Sequence, residues 1–236
     1  MNTAAHYIGN ELELFRHARN WKTYYRKRLS SYIHGHVLEA GAGIGETTLH
    51  LLNEQVDTWV CLEPDASLSE KISEKISTGE LPPKISVKTG TTEDYTLPSL
   101  FDTIVYIDVI EHIEDDRAEL RRAAGLLKAG GHLIILVPAH QWLFSPFDKA
   151  IGHYRRYNKK LLRQAVPASL KSKELFYLDS LGLLASLTNK LFLKKEYPTA
   201  QEVKFWDNLI VPVSKAVDPL ILFSTGKSLI GIWQKP

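Results

Sequence analysis

A glycine-rich turn between two apolar runs constrains this chain more than any other feature of its sequence. Residues 37–52 read VLEAGAGIGETTLHLL, which places Gly41, Gly43 and Gly45 within five residues. Glycine allows the backbone to approach a ligand closely, and the helix after such a turn begins with N–H groups that lack partners within the helix. The turn therefore predicts a binding site for a nucleotide-like ligand between a strand and a helix.

The spacing of the glycines distinguishes two classes of ligand. A dinucleotide fingerprint reads GxGxxG, whereas this chain reads GxGxG and has Glu46 where the third dinucleotide glycine would lie. Glu39 precedes the turn, and Glu63 ends the next apolar run. A carboxylate at the second position can accept hydrogen bonds from ribose hydroxyls, and an acid before the glycines suits a ligand with a cationic end. S-adenosylmethionine, which carries an ammonium and a sulfonium but no phosphate, fits this pattern.

Apolar runs alternate with helical patterns through the first part of the chain. The predicted strands are 36–40, 57–63, 84–90, 101–110 and 132–139. Because these runs are apolar on both faces, they indicate a parallel sheet covered by helices. The charged segment 114–131 predicts a helix that ends at Gly130 and Gly131, and one or two amphipathic helices are predicted between residues 7 and 30.

Four motifs in this order resemble those of one enzyme family. They are LEAGAGIG, CLEPD, FDTIVYIDVIEHIED and LLKAGGHLIILVPA. Their order and spacing are similar to those of the class I S-adenosylmethionine-dependent methyltransferases, and most of all to the group whose fourth strand ends in D/E-x-x-E-H. The resemblance implies an α/β fold, a doubly wound, mostly parallel seven-stranded Rossmann-like sheet whose last strand is antiparallel to the others. S-adenosyl-L-methionine is the implied cofactor.

The resemblance also implies a residue set around the cofactor. The implied cofactor-binding positions are Glu39, Gly41, Ala42, Gly43, Gly45, Glu63, Pro64, Thr92, Glu93, Asp108 and Val109. The glycine turn would hold the methionine part, and Glu63 the ribose. Because Thr91 replaces an aspartate that is common in the family, Thr92 or Glu93 is expected to contact the adenine amino group. Asp108 would lie close to the methyl donor.

Two segments carry candidate catalytic side chains. In DVIEH, a helix would place Asp108, Glu111 and His112 on one face, and His112 is a candidate general base. In SPFDKAIGHYRRY, Asp148 or His153 is a candidate proton acceptor, and an arginine is a candidate partner for an acidic acceptor. The alternative for both segments is a structural role, in shaping the floor of the site or in packing beneath the last helices.

The acid and histidine residues of DVIEH also raise the question of a metal site. Some relatives bind a divalent cation through their E-x-x-E-H residues, and His153 or His140 would then complete the ligand set. A structural role for Glu111 and His112 is the favoured interpretation. We therefore expect no metal.

The C-terminal part of the chain predicts a helical insertion at about 180–225, before the last strand. Its Leu-rich pattern includes Leu183, Leu184, Leu187, Leu191 and Phe192 at helical spacing. The segment predicts either a lid packed on the sheet or a greasy acceptor channel and membrane-surface contact. In the second case Lys190, Lys194 and Lys195 would face lipid headgroups.

Composition excludes several classes of function. A net charge of +2 does not favour nucleic acid as a partner, although the Arg and Tyr residues of GHYRRY keep an RNA methyltransferase as a distant alternative. The lone cysteine, Cys61, excludes an internal disulfide and a CxxC metal site. The absence of a signal peptide and of a bilayer-spanning stretch predicts a cytoplasmic protein, with peripheral membrane contact as an alternative.

Together these features predict a single methyltransferase domain over residues 1–236. Its expected parts are a helical cap at 1–34, a cofactor-binding core at 35–140 and an acceptor-side region at 141–236. The expected reaction is methyl transfer to a small-molecule or lipid-like acceptor, at oxygen. The rival hypotheses are a dehydrogenase, a non-catalytic S-adenosylmethionine-binding partner protein and a metal-assisted methyltransferase.

Overall fold

A seven-stranded sheet forms the centre of the computed structural model, which describes residues 11–96, 100–188, 190 and 197–236. The strands are β1 (Gly35–Ala40), β2 (Val56–Glu63), β3 (Ile85–Thr89), β4 (Phe101–Ile107), β5 (Leu127–Pro138), β6 (Lys171–Leu178) and β7 (Ser228–Gln234). Their order is β3-β2-β1-β4-β5-β7-β6. β7 is antiparallel to both of its neighbours, while the other paired strands are parallel. The predicted fold class is confirmed.

Helices cover both faces of the sheet. The α-helices of the described ranges are α1 (Glu11–Phe15), α2 (Arg19–Leu29), α3 (Glu46–Leu51), α4 (Ala66–Ser77), α5 (Asp116–Leu126), α6 (Pro146–Ala150), α7 (Lys159–Ala165), α8 (Ser180–Thr188), α9 (Ala200–Phe205) and α10 (Val211–Leu220). No helix among these is long and apolar enough to cross a membrane.

Alternation along the strands divides the core into two apolar layers. Because successive strand residues point to opposite faces, Ile104 packs in the layer that includes α5 and α7, and Val105 packs in the layer that includes α2 and α10. The same alternation separates Leu38 from Val37 on β1. The strands are therefore apolar on both faces because both faces are covered.

The structure corrects the predicted end of the helix before β5. The predicted stop at Gly130 and Gly131 is wrong, since α5 ends at Leu126 and the glycines lie within β5. The Leu126 carbonyl accepts a hydrogen bond from Leu100 N at 2.8 Å, and Leu127 pairs with Phe101. Pairing with β4 thus ends the helix four residues earlier than the glycine pattern predicts.

The predicted insertion before β7 is helical and consists of α8, α9 and α10. Of its leucines, Leu183 is buried and Leu184 is 57% exposed. Leu191 and Phe192 of the predicted stripe lie outside the described residues, as do Lys194 and Lys195, which were predicted to face lipid headgroups.

Buried carboxylates fasten the insertion to the rest of the fold. Asp218 is fully buried and accepts hydrogen bonds from Tyr24 Oη at 2.8 Å, Asp179 N at 2.7 Å and Ser180 N at 3.0 Å. Burial and the bond to Asp218 raise the pKa of Tyr24, which therefore stays a neutral donor. One side chain of α10 thus holds both α2 and the start of α8.

Replacement of this carboxylate is expected to destabilise the protein. Asp218→Ala leaves three buried donors without an acceptor, and each unpaired donor costs about 1–3 kcal/mol. We expect a loss of about 3 kcal/mol or more in the free energy of unfolding, measured by urea denaturation. The control is Asp57→Ala, at an exposed position of β2, which should change the unfolding free energy little. Equal midpoints for the two variants would contradict the role of Asp218.

Candidate active site

The glycine turn after β1 adopts a backbone that most residues avoid. Gly41, Gly43 and Gly45 have φ angles of +70°, +58° and +75°. A Cβ atom on Gly41 would lie 2.7 Å from Cγ2 of Val109, so no side chain fits there. The space beside Gly41 is therefore filled by Val109, the second residue after β4, and the approach of a ligand to this turn stays a prediction. The predicted position Ala42 is buried between these glycines.

Glu63, at the end of β2, closes the turn from the other side. It is 5% exposed, and it accepts hydrogen bonds from Gly43 N at 2.8 Å and Asp65 N at 3.0 Å. Burial raises the pKa of Glu63, and these two N–H donors oppose the shift. Each carboxylate oxygen retains a second lone pair, so the group can still accept bonds from ribose hydroxyls. Pro64 follows at the half-buried rim.

Glu39 faces the interior beneath the turn. It is 2% exposed, and its Oε2 accepts bonds from Thr48 Oγ1 at 2.5 Å and Trp59 Nε1 at 2.9 Å. Burial raises the pKa of Glu39 to about 7. A neighbouring cation would favour its ionised form, so the group is suited to a ligand with an ammonium or a sulfonium.

The turn after β3 directs its predicted adenine contacts towards α5. The Thr92 hydroxyl is buried and donates to Glu119 Oε2 at 2.7 Å. Glu93 is exposed and forms an ion pair with Arg122 at 3.3 Å. Both side chains are thus engaged with one helix, and their contact with adenine stays a prediction.

Asp108 lies at the carboxyl end of β4 in a strained conformation, with φ at +54°. The predicted helix is absent here, because Ile110–His112 forms a single 3₁₀ turn. Asp108 is exposed while Glu111 is fully buried, so the condition for the two to share one helical face is not met. Surrounding protein nevertheless raises the pKa of Asp108 to about 7, opposed by the charges of Lys227 and Arg156. Asp108 is thus open to solvent on one side and surrounded by protein on the others, so it lines a recess.

Lys227 is a site residue that the sequence analysis missed. It directly precedes β7, and its carbonyl accepts a bond from Ala139 N at 2.8 Å. Its Nζ lies 4.7 Å from the centre of the Trp206 ring. Because β7 is antiparallel, its first residues lie at the carboxyl edge of the other strands. The orientation of the last strand is the signal that would have placed Lys227 here. We call the space bounded by Asp108, Lys227 and Arg156 the acceptor recess.

The loop after β5 contains a fixed aspartate–histidine pair. Asp148 is fully buried and lies 2.9 Å from His153 Nδ1. Its oxygens also accept from Arg156 Nε at 2.8 Å, Arg156 Nη2 at 2.9 Å and Ser145 Oγ at 2.7 Å. These donors hold the pKa of Asp148 well below its usual range, so the group stays ionised. The arrangement favours an orienting role for Asp148 over proton transfer by Asp148 itself.

His153 also belongs to a cluster with the buried Glu111 and the half-buried His112. Their ligand atoms lie within 4.8 Å of one another, and no other described residues form such a group. Neither oxygen of Glu111 has a hydrogen-bond partner among the described residues, and burial raises its pKa well above the usual value. Burial and His153 lower the pKa of His112 to about 4. Of the two histidines expected to complete a metal site, His153 lies in this cluster and His140 does not. The absence of a metal remains a prediction.

The remaining side chains of GHYRRY hold the loop in place. Arg155 donates to the carbonyl oxygens of Ile113 at 3.0 Å and Glu114 at 2.7 Å, and it pairs with Asp116 at 3.0 Å. The Tyr157 hydroxyl donates to the same carboxylate at 2.6 Å. Arg155 is therefore engaged with the segment that leads into α5. Arg156, with its buried Nη1 unpartnered among the described residues, is the arginine beside the recess.

The fold and the glycine turn define the class I methyltransferases, and the comparisons then identify the family. A family model described as a methyltransferase domain matches residues 15–186, which is more than half of the chain. The chain belongs to this methyltransferase family, and its cofactor is S-adenosylmethionine. No curated protein sequence matches the chain.

Two solved structures illustrate the shared fold. A geranyl diphosphate methyltransferase in complex with SAM has a TM-score of 0.64 at 10% identity, over 97% of this chain and 91% of that chain. Phosphoethanolamine N-methyltransferase 2 of Haemonchus contortus, in complex with S-adenosyl-L-methionine, has a TM-score of 0.65 at 16% identity. That match covers 96% of this chain and 57% of the other. At these identities the likeness concerns the fold.

Loss of the Glu63 carboxylate is expected to weaken cofactor binding. Its two oxygens offer acceptors for charge-assisted hydrogen bonds of about 1.5–3 kcal/mol each. We expect Glu63→Ala to raise the Kd for S-adenosylmethionine by about 100-fold or more, measured by isothermal titration calorimetry. Asp57→Ala, on the exposed side of the same strand, is the matched control. Unchanged affinity in Glu63→Ala would remove this residue from the site.

Cofactor affinity is also expected to depend on pH. The pKa values of Glu39 and Asp108 are both raised to about 7, so each group is largely protonated below that pH. A cationic ligand favours the ionised form, so binding must release the proton and affinity falls as the pH drops. We expect up to about a tenfold loss for each pH unit below 7 and for each coupled proton.

Calorimetry across this pH range would measure the effect, with S-adenosylhomocysteine as the control ligand. That product has no sulfonium, so its affinity should change less with pH. An equal pH dependence for both ligands would show that these carboxylates do not respond to the sulfonium charge.

Proposed function

We propose that the chain methylates an oxygen atom of a small or lipid-like acceptor bound in the acceptor recess. The observation that carries this proposal is the Asp148–His153 pair, which shares Arg156 with the exposed carboxylate Asp108. Arg156 links the two features, because it donates to Asp148 and its charge acts on Asp108.

S-adenosylmethionine, when bound, supplies a methyl group that its sulfonium has already activated. The chain must therefore orient the acceptor and receive one proton. Glu39, Glu63 and the backbone of the glycine turn are the groups that would hold the cofactor, because they combine buried carboxylates with a turn that excludes side chains. Asp108 lies at the side of the recess that adjoins the turn, since Val109 packs against Gly41.

His153 is the better candidate for the general base. The ionised Asp148 lies 2.9 Å from Nδ1, which favours the tautomer with the proton on Nδ1 and the lone pair on Nε2. His112, by contrast, has a pKa of about 4, and such a weak base accepts a proton poorly near neutral pH. A hydroxyl acceptor needs such a base, because it is a weak nucleophile until its proton leaves.

The remaining walls of the recess suit an acceptor with a polar head and an apolar body. Lys227 and Arg156 offer cationic donors for an anionic or hydroxylated head. Trp206, over which Lys227 lies, belongs to the helical insertion and offers an apolar surface. The exposure of Asp108 supports a catalytic protein over a non-catalytic binder, in which we would expect residues 141–147 to cover this side chain.

Replacement of the base is expected to slow catalysis without affecting the cofactor. Methyl incorporation from S-adenosylmethionine would be measured over a panel of long-chain hydroxyl compounds, with matched amines and thiols. For an oxygen acceptor we expect His153→Gln to lower kcat by about 10²- to 10⁴-fold, with an unchanged Kd for the cofactor. His36→Gln, at an exposed position of β1, is the matched control.

A second variant tests the orienting role of Asp148. If Asp148 acts through His153, Asp148→Asn should lower kcat, and the double variant should be no slower than His153→Gln alone. Full kcat in His153→Gln, or turnover with amines only, would overturn the proposal of base-assisted oxygen methylation.

A further inference from the structure

The helical insertion contains one long, continuous helical segment. α9, a π-helical turn at Trp206–Ile210 and α10 follow one another without a break from Ala200 to Leu220. At 1.5 Å per residue the segment is about 30 Å long. It packs against α8 and α2 on one side. Its opposite side has no partner among the described residues.

The inward face of this segment mixes apolar and polar side chains. Val203 and Val211 are 6% and 1% exposed, and Asp207, Ser214 and Asp218 are 4%, 0% and 0% exposed. Asp207 accepts bonds from the first N–H groups of α2, and Ser214 Oγ donates to Asp179 at 2.7 Å. Polar groups are therefore buried in this segment because each has a specific partner.

The outward face is apolar. Its exposed side chains are Phe205 (59%), Leu209 (51%), Val213 (43%) and Leu220 (83%), followed by Leu222 (85%) just beyond the helix. Phe205, Leu209 and Val213 recur every four residues, so they form one ridge. Single exposed leucines are ordinary, but a ridge along a whole helix marks a contact surface. We call these five residues the outer ridge.

Cations flank the outer ridge. Of the three acids in the segment, Asp207 and Asp218 are buried and Glu202, in its first turn, is half-buried, whereas Lys204 and Lys215 are exposed. Lys27 of α2 lies beside Lys215, and its charge lowers the pKa of Lys215. Neither Lys27 nor Lys215 forms an ion pair with a described residue. An apolar ridge with unpaired lysines along its flank is complementary to the acyl chains and anionic headgroups of a bilayer surface.

We propose that the outer ridge docks on the surface of an anionic lipid bilayer, with Lys27, Lys204 and Lys215 at the level of the headgroups. The segment lies in the membrane plane and does not span the bilayer, because its inward face is fixed to α2 and α8. This docking is independent of the reaction that the protein catalyses.

Docking also has a consequence that does rest on the proposed function. Trp206 belongs to the same segment, and its ring lies under Lys227 at the acceptor recess. The bilayer surface is therefore separated from the recess by the thickness of one helix. A lipid-like acceptor would enter the recess without crossing bulk water.

Vesicle co-sedimentation of the full chain tests the docking. The probes are vesicles of phosphatidylcholine alone and vesicles with about one third phosphatidylglycerol. We expect binding to the anionic vesicles, and we expect Phe205→Gln/Leu209→Gln/Leu220→Gln to lower the partition coefficient by about tenfold or more. Lys204→Gln/Lys215→Gln should reduce the preference for anionic vesicles.

Matched variants separate docking from general effects. Leu49→Gln replaces an exposed leucine (47%) on α3, and Lys71→Gln/Lys173→Gln removes two exposed lysines elsewhere. Both should bind vesicles as the parent chain does, and cofactor affinity should be unchanged in every variant. The proposal is overturned if the parent chain does not bind vesicles, or if the triple variant binds equally well. It is also overturned if the ridge variants convert a dimer into a monomer while vesicle binding is absent, because the ridge is then an interface between two copies.

Discussion

Buried carboxylates that accept hydrogen bonds from distant parts of the chain are the interaction on which this structure depends. Glu63 joins the turn after β1 to the end of β2, and Asp218 joins α10 to α2 and α8. Asp148 does the same for the loop after β5. A buried charge is costly unless it is paired, and here each pairing fixes a loop at the carboxyl edge of the sheet. The rigidity of that edge follows from the burial of its acids.

The same edge shows how environment separates chemically equal groups. Asp108 and Asp148 are both aspartates beside Arg156, yet the pKa of one is raised to about 7 and that of the other lies well below its usual range. The difference arises because Asp148 accepts direct hydrogen bonds from its partners. Asp108 interacts with the charges of Lys227 and Arg156 without such bonds. One carboxylate is thereby kept as a fixed anchor, and the other remains responsive to a charged ligand.

The sequence predicted the strands and the glycine turn well, because both depend on local patterns. Continuous apolar runs require burial on both faces, and the glycine turn requires positive φ angles. The end of α5 was not predictable, since pairing between Leu127 and Phe101 overrides the glycine signal. Lys227 and the buried acids of the helical insertion were missed for a related reason. Their roles come from partners far along the chain, such as Asp218 and Tyr24, 194 residues apart.

The position of β7 has a consequence for synthesis. β7 lies between β5 and β6 and pairs with both along nearly its whole length. Until residues 228–234 leave the ribosome, β5 and β6 each keep open a strand edge that β7 later closes. Such edges bind other extended chains readily. β7 is the last of the described strands to be translated, and a chaperone that shields these edges would act before it pairs.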